Sequence, residues 1–447
     1  MTEPEETADW TSRRYYRRAV EAALWGMPMV STQAMLAAFR GVDGQFGDIV
    51  YFSRLPDWRW QITTPNATTF YAYSAIRLDA APVLLTLPPT QGSGLYGSIF
   101  DCWQNALADV GPAGVDGGNG GTYAILPPGY ADDIPDGATA VPCPTRNAYI
   151  LFRAIPEDYG DAGVALAQQH IRGLKIREAG TSGNQRFIDI AGRDFDAFPE
   201  MDDSYFDCLA AIVRDEPVRQ MDLVAMGMLM SLGIAPDRPF APDPEQRAIL
   251  ARAAREAQDQ LVAENLEINP LWPDRRWGSP TYIQHAQTAR PIMTAERLDY
   301  DRRAALAYRM CGVPKTAGAA RFFHVVSDAA GEPLRGGETY RLSVPGPVPA
   351  RQFWALAVYD AVTFRFIRGA ETVEFNSLEL SKNDSGKPVE IVFAPERPDG
   401  VEIWMETAPG RNWAAIFRIY GPDVAALDAG WKPDDIVRVE PGSEAGQ

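Results

Sequence analysis

Apolar positions along this chain change period three times. In "RRYYRRAVEAALWGMPMVSTQAMLAAF", residues 13–39, they recur at helical spacing. That predicts a helix broken at Pro28, whose ring removes a backbone donor. From about Tyr51, apolar and polar residues alternate in short runs closed by Pro and Gly. "TTFYAYSAIRLD", "PVLLTLPP", "LYGSIFDCW", "GTYAILPPG" and "NAYILFRAI" read as strands. Helical spacing returns over residues 158 to about 318. "DAGVALAQQHIRGL" and "YFDCLAAIVRD" are amphipathic, and "VRQMDLVAMGMLMSLG" is more fully apolar. The clearest helix is "PDPEQRAILARAAREAQDQLVAENL", with Asp243 as N-cap, Pro244 at the first helical position and Gln246 closing a capping box. Its buried stripe is Ile249, Leu250, Ala253, Ala257 and Leu261. A last helix, "RLDYDRRAALAYRMCG", stops near Gly312 and Pro314. Strands then resume in "TYRLSVPG", "FWALAVYD", "PVEIVFAP", "VEIWMETAPG" and "NWAAIFRIYGPD", with Asp399-Gly400 as a hairpin-type turn.

The two strand-rich regions say similar things. "RNAYILFRAIPED" at 146–158 matches "RNWAAIFRIYGPD" at 411–423 in five of thirteen positions, including Phe152 with Phe417 and Arg153 with Arg418. "LLTLPPTQGSGLYGSIFD" similarly resembles "RLSVPGPVPARQFWALAVYD", each ending in Asp (Asp101, Asp360). Alternating strands need a second apolar sheet over their buried face. The expected fold is therefore α+β: two related antiparallel β-sandwich or jelly-roll domains with a helical insert between them. The expected boundaries are an N-terminal helical segment at 1–50, a first sandwich at 51–157, the insert at 158–318, a second sandwich at 319–440 and a flexible tail at 441–447.

Composition narrows the partners. With 42 basic and 59 acidic residues the formal charge is −17, which argues against nucleic acid and anionic membrane. Cys102, Cys143, Cys208 and Cys311 are scattered without a C-x-x-C pair, as expected of free thiols in a reducing compartment. No signal peptide is read at the N-terminus and no run is long enough to span a bilayer, so a cytoplasmic location is expected.

Several short stretches carry a family resemblance. "WGMPMV" at 25–30 is similar to a Tyr-Gly-Tyr-Pro-Leu-Val motif, and "TPNATTFYA" at 64–72 to a Pro-Asn-x-Asp-Thr-x-Tyr motif. "SIFDCWQNALADVG", "FWALAVYD", "NW", "FRIYGP" and "WKP" complete the set. Across roughly residues 15–440 the chain resembles the bacterial pairing of domains of unknown function numbered 1254 (N-terminal) and 1214 (C-terminal). The resemblance implies two β-sandwiches with helices and little about chemistry. It also implies Asp where this chain has Thr68.

Candidate chemistry rests on a few residues. H-E-x-x-H, G-x-S-x-G, P-loop and dinucleotide-binding motifs are absent, and "GGNGGTYAIL" reads as a loop entering a strand. Among three histidines, His170 reads as a surface or packing residue and His324 as structural. His285, in "GSPTYIQHAQTARPIM", is the catalytic candidate. Asp101 ends an apolar strand, where half-burial would lift its pKa toward acid-base use. The alternative for Asp101 and Asp360 is structural: capping the strand end, or pairing with Arg153 or Arg418. Asn66, Tyr71, Tyr73, Trp103, Asn105, Trp277, Tyr282, Arg290 and Trp354 are the candidate substrate-binding residues, supplying aromatic faces and polar donors to a pocket. The acidic run Asp194, Asp196, Glu200, Asp202, Asp203, Asp207 invites a divalent cation, but a solvated loop with a helix cap explains it better. No cofactor is expected. The leading expectation is an enzyme without redox cofactor, a hydrolase or lyase acting on a small, largely apolar molecule. The alternatives are a non-catalytic small-molecule or carbohydrate binder, and an assembly protein; a homo-oligomer is compatible with each.

Overall fold

The computed structural model describes residues 4–90, 93–112, 114–282, 292–294, 296–312, 320–380 and 386–439. The fold is α+β, with mostly antiparallel sheets and seven α-helices among the described residues. His285 and Arg290 lie outside the described residues, as does the whole of the proposed tail.

Alternation in the first strand-rich region builds a six-stranded sheet in the order Phe187–Asp189, Ile49–Tyr51, Phe70–Arg77, Asn147–Pro156, Ser93–Asp101, Ala106–Val110. A four-stranded sheet orders Lys175–Glu178, Val83–Leu87, Gly121–Leu126, Ala138–Pro142. The second region follows the same plan. Its six strands run Ile268–Pro270, Gly278–Pro280, Ala320–Val325, Trp413–Pro422, Ala350–Asp360, Glu374–Asn376. Its four strands run Val437–Arg438, Tyr340–Val344, Val389–Ala394, Trp404–Glu406.

The repeated stretch forms an inner strand of each larger sheet. Phe152 sits in register between Ala72 and Gly97, and Phe417 between Phe323 and Leu356. Each is fully buried in the core of its half. In each core, residues of the six-stranded sheet pack with residues of the four-stranded one, as the alternating pattern requires.

Three local expectations are corrected. The helix Pro4–Gly41 runs unbroken through Pro28; Trp25, Met27, Met29 and Val30 are all buried around it, and that packing offsets the missing donor. "VRQMDLVAMGMLMSLG" yields only the short helix Leu223–Met230, on which Leu223, Val224 and Met230 are exposed. Asp399-Gly400 does not close a hairpin, because Val389–Ala394 and Trp404–Glu406 pair in parallel. Parallel neighbours need a crossover rather than a tight turn.

The helices Pro4–Gly41, Ser204–Asp215, Leu223–Met230, Pro244–Leu266 and Tyr300–Arg309 share one core. The expected Asp243–Gln246 capping box with Pro244 at the helix start is present. A close approach in "WGMPMV" has a steric cause: a Cβ on Gly26 would lie 2.7 Å from Leu209 Cδ1.

Candidate functional site

The strand Ser93–Asp101 ends in a tight turn made by its last carboxylate. Asp101 Oδ1 accepts from the backbone N–H groups of Trp103 and Asn105, both at 2.9 Å, and Oδ2 accepts from Asn105 Nδ2 at 2.9 Å. Burial raises the Asp101 pKa against the pull of these donors. With three donors on it, the carboxylate positions Trp103 and Asn105, and it is not among the described residues that line the cleft below. The turn throws Gln104 into the left-handed region, φ 62°, which is costly for a residue with a side chain.

Trp103 lands between two guanidiniums. The Arg219 Cζ is 4.1 Å from its ring centre and that of Arg303 4.3 Å, while the Trp25 ring meets it edge-on at 4.9 Å. Arg219 is spent on Asp222, which takes Nε and Nη2 at 2.6 and 3.0 Å. Arg303 is different. It is 7% exposed, donates Nη2 to the Trp25 carbonyl at 2.9 Å, and leaves Nε without a partner. Burial pushes its pKa down to about 10, the mark of a cation short of stabilising contacts.

Beside these side chains opens a cleft of about 240 Å³. Trp103, Gln104, Asn105, Arg219 and Arg303 form its polar side, and Ile292, Met293, Leu298, Leu306 and Ala307 its apolar side. It lies between the first β region and the helical region. Gly312, with φ 97°, completes the wall where a Cβ would strike the Phe100 ring at 2.4 Å.

The matching turn of the second β region is also held by its strand-end carboxylate, with a different spacing of donors. Asp360 Oδ1 accepts from the N–H groups of Val362 and Thr363, both at 2.9 Å, and Oδ2 pairs with Arg411 at 2.8 Å. Phe364 takes the left-handed position, φ 51°, is fully buried, and fills the space against the Arg309 guanidinium at 4.3 Å. The pairing of either Asp with Arg153 or Arg418 is not seen; Arg418 pairs with Glu374 at 3.5 Å.

The remaining candidates divide. Asn66 and Tyr71 lie apart from the cleft, in a buried polar seam between the two β regions. There the Asn66 N–H reaches Tyr71 Oη at 3.1 Å and Asn66 Nδ2 bonds Tyr420 Oη. Thr68, in the same loop, donates its hydroxyl to Glu374, a bond that an ionised Asp in its place would not make. Tyr73 packs against Phe39, Tyr149 and Phe195 in the core. Trp277 is fully buried and donates Nε1 to the Asp434 carbonyl at 2.8 Å, and Trp354 stacks on Phe417 at 5.1 Å. Tyr282 is buried against Asn265. The acidic run is mostly tied to arginines: Arg247 bridges Asp203 and Asp207, and Asp196 holds Arg365 and Arg368. Among the described residues no cluster of three or more His, Cys, Asp or Glu side chains is placed to hold a metal.

Comparison with known proteins agrees with this layout. A family model for proteins of unknown function, DUF1254, matches residues 46–178, and another, DUF1214, matches residues 319–424. The two matches fall on the first and the second β region, in that order. The cleft turn at Asp101 lies in the DUF1254 part and the turn at Asp360 in the DUF1214 part. The solved structure of VPA0106 from Vibrio parahaemolyticus is similar at a TM-score of 0.55 and 14% identity, over 95% of this chain and 100% of that one; the likeness is one of fold. An uncharacterised protein from Burkholderia cenocepacia has a TM-score of 0.38 and 13% identity, over 98% and 90% of the two chains. No curated protein matches the sequence. No described helix is long and apolar enough to cross a membrane.

Proposed function

We propose that the chain binds a small organic acid in the cleft beneath Trp103, its carboxylate on Arg303 and its apolar body against Ile292, Leu298 and Leu306. The observation that carries this reading is Arg303: a guanidinium walled into the protein and lining a cavity, with, among the described residues, one carbonyl as its hydrogen-bond partner and no carboxylate in contact, Asp222 and Asp101 acting on it only through space. A buried charge left in that state is expensive, and a ligand carboxylate would complete its shell with charge-assisted bonds. Gln104 and Asn105 add amide groups at the same wall. The volume limits the ligand. A cleft of about 240 Å³ is on the scale of a substituted benzoate or a medium-chain acid.

Hydrolase or lyase chemistry at this place would need a proton-transfer group. Asp101 is not among the described lining residues, which offer amides, arginines and apolar groups. Binding is therefore the reading the geometry favours over catalysis. We also infer that the DUF1254 and DUF1214 halves are copies of one sandwich unit, supported by their common strand order and by the equivalent turns at Asp101 and Asp360.

The test is calorimetric titration with benzoate and with benzamide, which share a shape and differ in charge. Benzoate is expected to bind at least tenfold more tightly, and Arg303→Gln to erase the difference at this cleft. Equal affinities for acid and amide in the native protein would refute the assignment.

A further inference from the structure

The stretch "PVRQMDLVAMGMLMSLGIAP", residues 217–236, holds two charged residues, Arg219 and Asp222. They are spent on each other: Asp222 is 2% exposed and accepts from Arg219 Nε and Nη2 at 2.6 and 3.0 Å. What the stretch leaves outside is apolar. Val218 and Met221 are each 44% exposed, Leu223 51%, Met230 56% and Val224 88%. On a chain with a formal charge of −17 such a face is out of place, because bare apolar side chains normally sit singly among charges.

The helix Leu223–Met230 gathers these groups on one side. Leu223, Gly227 and Met230 follow one another at spacings of four and three, so they share a face, with Val224 at its edge. Leu229 points the other way, into the helical core. Gly227 sits mid-helix, exposed, at the centre of the outer face. Glycine weakens a helix interior relative to alanine, and nothing within the chain requires it there. Its φ is not left-handed, and a Cβ on it would meet open space. The position is a notch between Leu223, Val224 and Met230, and a notch of that kind lets a second helix come close.

We propose that two copies of this chain pair through this face, their Leu223–Met230 helices crossing at Gly227 and Val224 of each copy seated on Gly227 of the other. A two-fold contact has to be self-complementary, and a projecting valine three residues from a notch on the same face meets that condition. Charge favours the same partner. An acidic chain is repelled by an anionic membrane, and two acidic chains approach most readily where neither carries charge. The area fits as well. The five exposed side chains present on the order of 500 Å² of apolar surface, at the top of the range for a monomer, and symmetric pairing doubles it to the roughly 1,000 Å² that a specific interface needs. Arg219 ties this face to the wall of the Trp103 cleft, but the pairing does not depend on what that cleft binds.

The experiment is sedimentation equilibrium of the full chain across the micromolar range. The native protein is compared with Val224→Glu, Gly227→Ala and, as a control for added charge, Val115→Glu, at a position 70% exposed between the strands Ala106–Val110 and Gly121–Leu126. The native protein and Val115→Glu are expected to dimerise alike. Val224→Glu and Gly227→Ala are each expected to weaken pairing at least tenfold. At a dilution where both are monomeric, Gly227→Ala should also melt at a higher temperature than the native chain, because alanine favours the helix; damage to the fold would not raise melting while lowering pairing. Val224 and Gly227 are exposed, so both variants keep the fold, which far-ultraviolet circular dichroism checks. Pairing that survives either variant, or that Val115→Glu weakens equally, overturns the proposal. A native protein that stays monomeric overturns it as well, and flotation of that monomer with phosphatidylcholine vesicles would give the face to a lipid surface instead.

Discussion

Single residues show how the Asp101 turn makes a site. Gln104 keeps a left-handed backbone that glycine would adopt without strain. Gln104→Gly is expected to raise stability by about 1 kcal/mol and to weaken benzoate binding, both measurable by urea unfolding and titration on one preparation. Gly312→Ala should do the reverse. Its Cβ meets a ring stacked 4.9 Å from Tyr149, at a φ that side chains avoid. A loss of about 2 kcal/mol or more in unfolding free energy is expected. At this scale the sequence was partly legible. Asp101, Trp103 and Asn105 stand together as expected because residues of one five-residue turn cannot lie far apart. Arg303 gave little signal. It reads as one more charged residue of an amphipathic helix, and only tertiary packing puts it against Trp103.

Among the elements, local rules hold and packing decides the rest. Strand alternation and the Asp243 capping box are local rules, and the structure obeys both. Pro28 and the apolar run at 218–233 failed because tertiary packing, not periodicity, decides whether a helix survives a proline or buries its whole surface. One junction between elements carries a pH signature. Arg77 donates Nη1 and Nη2 to Asp215 at 2.5 and 2.9 Å, joining the strand Phe70–Arg77 to the helix Ser204–Asp215. The Arg77 hydrogen bonds hold the Asp215 pKa below its ordinary value. A depressed carboxylate stabilises the fold above its unfolded pKa, and that stability fades as pH falls through the folded one. Asp215→Asn should therefore flatten the decline of the melting temperature below about pH 4, leaving the neutral-pH value less affected than Arg77→Ala does. Parallel declines in the native and variant proteins would count against this pairing.

At the scale of the whole molecule, the halves are joined by polar groups that sequence spacing cannot place. Asn66 was singled out from the loop before a strand, yet it bonds Tyr420, and Thr68 and Thr64 of the same loop bond Glu374 and Arg418, all some 300 or more positions away. The twin strand order was foreshadowed by the repeated stretch; the polar seam between the halves was not. Removing one partner there should be severe. Arg418→Met strands the buried Glu374 carboxylate and two carbonyls, with an expected loss of about 3–5 kcal/mol. Adding Glu374→Gln should recover part of it, a coupling that a double-mutant cycle in urea would read.

The most direct measurement is the crystal structure of the protein soaked in 4-bromobenzoate, with bromine located by anomalous scattering. A carboxylate on Arg303, with bromine lodged near Leu298 or Leu306, is the expected result. A cleft without bromine at a concentration that saturates binding in solution would contradict it.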